Sequence, residues 1–189
     1  PWFILPLVLG MLCSLLMYYE HQNDMLKQIW LVPVSKMGYL CSKFAVVFIY
    51  SLCFMLLVAA GSILAGIGSG LIQMTRDSLL LLLMKCLEIG VIAPFAMLPV
   101  LAVAACQKGY ILPVCLTIVY TFLGFILLMV NMYLHPLASM AAIYMGNMEG
   151  VVMKEPVDLA KAFLCLGIWG VPSIIGARIA LGKGVDQGK

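Results

Sequence analysis

Few residues in this chain are of types that do chemistry, and hardly any are spaced for it. The two histidines, His21 and His135, stand far apart, and the seven cysteines at positions 13, 41, 53, 86, 106, 115 and 165 form no C-x-x-C and no Cys/His pair at ligand spacing. Their odd number and irregular placement, with all but Cys41 and Cys106 inside apolar runs, reads as small buried hydrophobes and not as a disulfide framework. Around Gly68-Ser69-Gly70, Ile67 occupies the place of the first glycine in G-x-S-G, and no histidine lies deep in a later apolar run to serve as base. Paired-Glu and H-E-x-x-H signatures are missing too, and Gly182-Lys183 and Gly188-Lys189 lack both the upstream glycine and the following Ser or Thr of a P-loop. These patterns argue against an enzyme and against nucleotide binding by this chain.

What remains is a pair of opposite charges. Lys85 and Glu88 are three residues apart inside an apolar stretch, a spacing that sets both on one face of a helix. Counted from Leu79 at about 1.5 Å per residue, Glu88 lies roughly 14 Å along the helix, near the middle of a hydrocarbon layer. A charge there costs about 2.5 to 3.5 kcal/mol on insertion scales, so it must find a partner or a wet cavity. Two readings stay open: a self-neutralising pair with Lys85 reaching outward, or a carboxylate on a substrate path, which would attract cationic amphipathic peptides.

The elements that must hold such a pair are membrane helices. Of the 189 residues 65% are hydrophobic and only 10% charged, and mean hydropathy is +1.13, which excludes an ordinary soluble domain. The expected architecture is all-α, a polytopic helical bundle forming a single transmembrane domain over residues 1–189. Five stretches are long and apolar enough to cross, at about 2–19, 44–67, 79–104, 111–134 and 162–181. Pro6, Pro94, Pro99, Pro113 and Pro172 fall inside them or at their ends and predict kinks without breaks. Basic residues favour a cytoplasmic loop at 20–43: seven of them gather on that side against four on the other, counting Lys85. That orientation puts the C-terminus in the cytoplasm. Because Pro1 opens directly onto an apolar run, a preceding span is expected, with six in the full protein.

Between the first two spans, Met25, Leu26, Ile29 and Trp30 recur at helical spacing opposite Asn23, Asp24, Lys27 and Gln28, which predicts a short amphipathic helix over about 20–32. Pro33 ends it and Ser35 caps the next helix. The segment is either an interfacial helix anchored by Trp30 or a docking element for a separate protein.

A glutamate at the end of a span, a short helix closing in Pro-Val-Ser-Lys and a lysine leading the next span resemble the coupling segment of type-2 ABC transporter permeases. The matching positions are Glu20, Leu26, Pro33, Ser35, Lys36 and Lys43. Within that superfamily, small size and the Tyr-Glu-His-Gln-Asn opening are most similar to permeases of lantibiotic-immunity and bacitracin-type exporters. Gln107-Lys-Gly-Tyr110 resembles that family's tight turn, and Arg178 with Lys183 its basic end. The resemblance implies that Glu20, Asp24, Leu26, Ile29, Trp30, Pro33, Ser35 and Lys36 couple to a partner ATPase subunit, which would bind ATP and Mg, this chain holding no cofactor. It also implies a second permease chain, identical or related, a bacterial plasma-membrane location, and export or expulsion of an antimicrobial peptide or lipid-like substrate. Nucleic acid has no place in it.

Two features complete the reading. Ser62, Gly66 and Gly70 repeat every four residues, a small-residue face for close helix packing or else a frayed helix end. The outer loop at 135–161 contains a candidate short helix over Leu137 to Met145, and Asp158 is placed to cap the last span. A non-transporting scaffold or sensor is the alternative to the transporter reading, and an intramembrane enzyme the weaker one.

Overall fold

The computed structural model describes residues 3–23, 35–69, 75–107, 109–146 and 157–186. Seven helices lie in these residues: α1 Ile4–Gln22, α2 Lys36–Ser69, α3 Arg76–Ala96, α4 Leu98–Cys106, α5 Ile111–Val130, α6 Pro136–Gly146 and α7 Leu159–Asp186. No strand occurs among the described residues, and five helical stretches are long and apolar enough to cross a membrane, α3 and α4 together forming one of them.

That α3–α4 span is the hub. Of its most apolar stretch 61% is buried, against 22 to 39% for the others, and it touches α1, α2, α5, α6 and α7. On α1, Leu5, Leu9, Cys13 and Met17 recur every fourth residue and are fully buried, the single stripe expected of a helix that covers a core on one side. Its approach to α5 is close because Gly10 has no side chain: a Cβ there would collide with Thr117. The outward surfaces of α2, α5 and α7 remain apolar, as with Leu57, Leu64, Ile126, Val130, Leu164 and Ile175, because their solvent is hydrocarbon. The same logic corrects the reading of the cysteines. Only Cys13, Cys86 and Cys165 are buried, while Cys41, Cys53, Cys106 and Cys115 are exposed. An apolar run in a membrane helix does not distinguish the inward face from the lipid face.

The prolines also act differently from expectation at one place. α1, α5 and α7 run through Pro6, Pro113 and Pro172, but the third span is interrupted at Met97, between Pro94 and Pro99. Two prolines five residues apart remove two ladder donors from adjacent turns, more than one kink absorbs. The freed groups find partners on neighbouring helices. Gly90 O, which Pro94 cannot serve, accepts Ser51 Oγ from α2 at 2.8 Å. Val100 N–H turns to Met97 O at 3.1 Å, and Ala96 O accepts the Tyr120 hydroxyl from α5 at 2.7 Å.

At the far end α6 is a short apolar helix buried from Pro136 to Ile143, wedged among α3, α5 and α7. It lies over the stretch expected to form a short helix in the outer loop. Gly124 admits it, since a Cβ there would stand 2.8 Å from Leu137 Cβ. His135 begins it: Nδ1 accepts Leu137 N–H at 3.3 Å, and the ring lies 4.3 Å from that of Tyr120 and 6.2 Å from that of Trp169, centre to centre. Trp169 Nε1 donates to Leu134 O at 3.1 Å. Asp158 Oδ1 accepts Ala160 N–H at 3.0 Å and so caps α7.

Two outcomes test this account. Tyr120→Phe keeps the ring and removes the donor to Ala96 O, and should cost about 1 kcal/mol in a detergent unfolding titration, the scale of a hydrogen bond between membrane helices. An unchanged midpoint would show that the joint does not depend on it. Burial pushes the His135 imidazole down from 6.5 to about 4, so the folded state favours the neutral ring. Its stabilisation is complete above about 6.5 and is lost as pH falls toward about 4. Thermal midpoints should fall across that window in the wild type and less in His135→Asn, which retains an acceptor for the helix start.

Candidate functional site

The two helices flanking the elbow are joined by side chains at their ends. α1 closes with Asn23, whose Nδ2 donates to Tyr19 O at 2.9 Å, and α2 opens at Ser35, whose Oγ accepts Gly38 N–H at 3.1 Å. Between these caps the Glu20 carboxylate bonds twice: Oε2 accepts the Tyr39 hydroxyl and Oε1 accepts Lys43 Nζ. Tyr39 and Lys43 are one turn apart on α2, and the ammonium also lies 5.3 Å from the centre of the Tyr39 ring. Met17 Sδ backs the phenol at 3.5 Å. The Glu20 and Lys43 side chains keep only 13% and 17% of their exposure. Both carboxylate oxygens are consumed, which makes this a structural knot that sets the separation of α1 and α2.

Of the expected coupling residues, the structure therefore places Glu20, Ser35 and Lys36 at the two rims of the elbow. Asp24, Leu26, Ile29, Trp30 and Pro33 lie outside the described residues. Tyr39 escaped sequence reasoning. Its signal was its position one turn before Lys43 on the same face of α2.

The second charged pair sits on α3. Lys85 Nζ donates to Glu88 Oε2 at 2.7 Å and to Tyr144 O of α6 at 3.2 Å, with the Tyr144 ring centre 5.9 Å away. The two side chains keep 16% and 26% of their exposure. Unlike Glu20, Glu88 has one oxygen, Oε1, that makes no hydrogen bond among the described residues, and no buried side-chain polar atom there is left without a partner, so this oxygen is accessible. Lys85 and Tyr144 line a cleft of about 410 Å³ that runs from Asp77 and Ser78 past Leu82 to Ile89. Its wall is mostly apolar with a charged rim, a chemistry suited to an amphipathic molecule. Tyr144 was not foreseen because it contributes a backbone carbonyl, which no residue type signals.

The small-residue face does not mark a contact inside this chain. Ser62 is exposed with its hydroxyl returned to Val58 O at 2.8 Å, Gly66 is buried, and Gly70 lies outside the described residues. A Cβ at Gly61 or Gly68 would meet nothing within 4 Å. At the turn after α4, Tyr110 stacks edge-on against Tyr18 of α1, ring centres 5.1 Å apart.

Comparison with known families gives one match: the model of the ABC-2 family transporter protein covers residues 1–124. No curated protein and no solved structure matches the chain.

A double-mutant cycle tests the knot. Glu20→Gln and Lys43→Met should each lower stability by about 1–3 kcal/mol, because each strands a partly buried polar partner. The double variant should lose less than the sum of the two. Additive losses would show that Glu20 and Lys43 do not interact.

Proposed function

The chain belongs to the ABC-2 transporter family and is a membrane-spanning permease subunit of an ABC transporter, and we propose that it exports or expels an antimicrobial peptide, of the lantibiotic or bacitracin type, using a separate ATPase subunit. The observation that carries the coupling half of this reading is the Glu20 knot. A permease driven from outside the bilayer must accept force at a point fixed rigidly to its spans, and Glu20, Tyr39 and Lys43 fix both rims of the 24–34 segment to one another. In this reading Leu26, Ile29 and Trp30 form the face that docks on the ATPase, Asp24, Ser35 and Lys36 border it, and Pro33 sets its end. The partner subunit supplies ATP and Mg, and a second permease chain completes the path.

The substrate half rests on the cleft beside α3. Glu88 Oε1 and Asp77 offer negative charge above an apolar wall, which suits a cationic amphipathic peptide and gives no particular advantage to a neutral lipid-like one.

The test separates the two halves. Co-expressed with the ATPase encoded beside it, the chain should co-purify with that subunit and raise its ATP hydrolysis in proteoliposomes. Leu26→Asp with Trp30→Ala should remove the ATPase while the permease stays inserted. Glu88→Leu should keep the ATPase bound and lose protection of cells against the peptide by tenfold or more, on the order of one displaced charge–charge contact. Full protection in Glu88→Leu would take Glu88 off the path, and no change in ATP hydrolysis on adding the permease would favour a scaffold instead.

A further inference from the structure

A second cleft, of about 170 Å³, opens sideways between α2, α4 and α7, and nothing in the transport reading uses it. We propose that it holds one acyl chain of an anionic phospholipid, whose phosphate is met by Lys36 and Arg178.

Its walls are almost wholly apolar. Phe44 and Phe95 close one end, their rings edge to face at 5.1 Å, and Leu98, Ala102 and Ile174 line its length. The lone hydroxyl, Ser173 Oγ, is already given to Trp169 O at 2.6 Å, so the cleft presents no unspent hydroxyl donor. An apolar cavity of about 150 Å³ stays dry and takes a hydrocarbon, and this cleft has a similar volume and the same chemistry. Its long axis follows the helices: from Met37 to Phe44 is roughly 10 Å at 1.5 Å per residue, the course of a lipid tail. Met37, Phe95 and Ile174 stay partly exposed at its lips, so it is open to the hydrocarbon around it.

Charge selects the headgroup. Lys36 directly precedes the lining residue Met37, and Arg178, which is exposed, directly follows the lining residue Ala177, so both bases stand at the same end of the cleft. Neither α2 nor α4 contains an acidic residue, and Glu20 on neighbouring α1 is consumed by Lys43 and Tyr39. A phosphate there meets positive charge without competition. The site also has a mechanical consequence. The tail touches Phe95 before the Met97 interruption and Leu98 after it, so it splints the joint of the central span.

The experiment uses the full chain reconstituted in nanodiscs of equal phosphatidylglycerol and phosphatidylethanolamine, re-extracted into mild detergent, with retained lipid counted by native mass spectrometry. Wild type should retain one phosphatidylglycerol per chain. Arg178→Gln and Lys36→Gln should each weaken that preference about fivefold, the worth of one basic residue at a membrane surface. Cys41→Trp places bulk in the mouth of the cleft from an exposed position and should abolish retention, and Ala102→Leu repeats the test should that variant aggregate. Equal retention of both lipids by wild type, or undiminished retention in the filled variants, overturns the proposal. A cleft covered by a second copy of the chain would retain no lipid and would crosslink through Cys41, which overturns it equally.

Discussion

Inside a bilayer no water is available to a peptide group, so every backbone donor and acceptor must be answered by the protein itself. The whole arrangement follows from that demand. Hydroxyls sited on helices return to carbonyls one turn back, as Ser14 to Gly10, Thr117 to Pro113, Thr121 to Thr117 and Ser173 to Trp169. Where prolines open the ladder on α3 and α4, the answer comes from other helices, Ser51 on one side and Tyr120 on the other. An uncompensated carbonyl would cost several kcal/mol in hydrocarbon, so an interrupted span is tolerable only at the centre of the bundle, and the interrupted span is indeed the most buried one.

The same demand distinguishes the two acidic groups. Glu20 spends both oxygens on Tyr39 and Lys43 and has no capacity left for a ligand, so its contribution is geometric. Glu88 shares one oxygen with Lys85 and keeps the other accessible beside a cleft. A buried ion pair on average contributes little net stability, because desolvation offsets attraction. Retaining one where leucine would pack as well is therefore better explained by the use of its charge. That argument applies to Glu88 with more force than to Glu20, whose neighbours supply a hydroxyl and a ring as well as a cation.

Much of this was legible in the residues. Hydropathy alone located the five crossing stretches, and short-range rules located the caps at Ser35 and Asp158 and the pairing of Lys85 with Glu88, since each is settled within a turn of helix. The interruption at Met97 was not, because one proline predicts a kink and the difference between kink and break depends on whether distant donors exist. Tyr39 stands 19 residues from Glu20, and their contact depends on the angle between α1 and α2. The cysteines misled for a related reason: in lipid, outward and inward faces share one composition, so periodicity loses its contrast and burial cannot be read from residue type.

The geometry of α2 links these regions mechanically. It runs 34 residues from Lys36 to Ser69 without a proline, so it is about 51 Å long, some 20 Å more than the hydrocarbon thickness. The excess allows the turns carrying Tyr39 and Lys43 to stand at or beyond the hydrocarbon edge, where a carboxylate can be held charged at small cost. An unbroken helix moves as one body over this distance, so a displacement at Ser35 arrives at Ser51, roughly 24 Å along the axis. Ser51 is the residue that answers Gly90 O beside the interrupted span. Above that point, on the same helix α3, lie Lys85 and Glu88, and below it the Met97 joint. A force applied at the elbow therefore meets the central span at its least regular stretch, where the ladder is already open and a change of angle breaks the fewest backbone bonds.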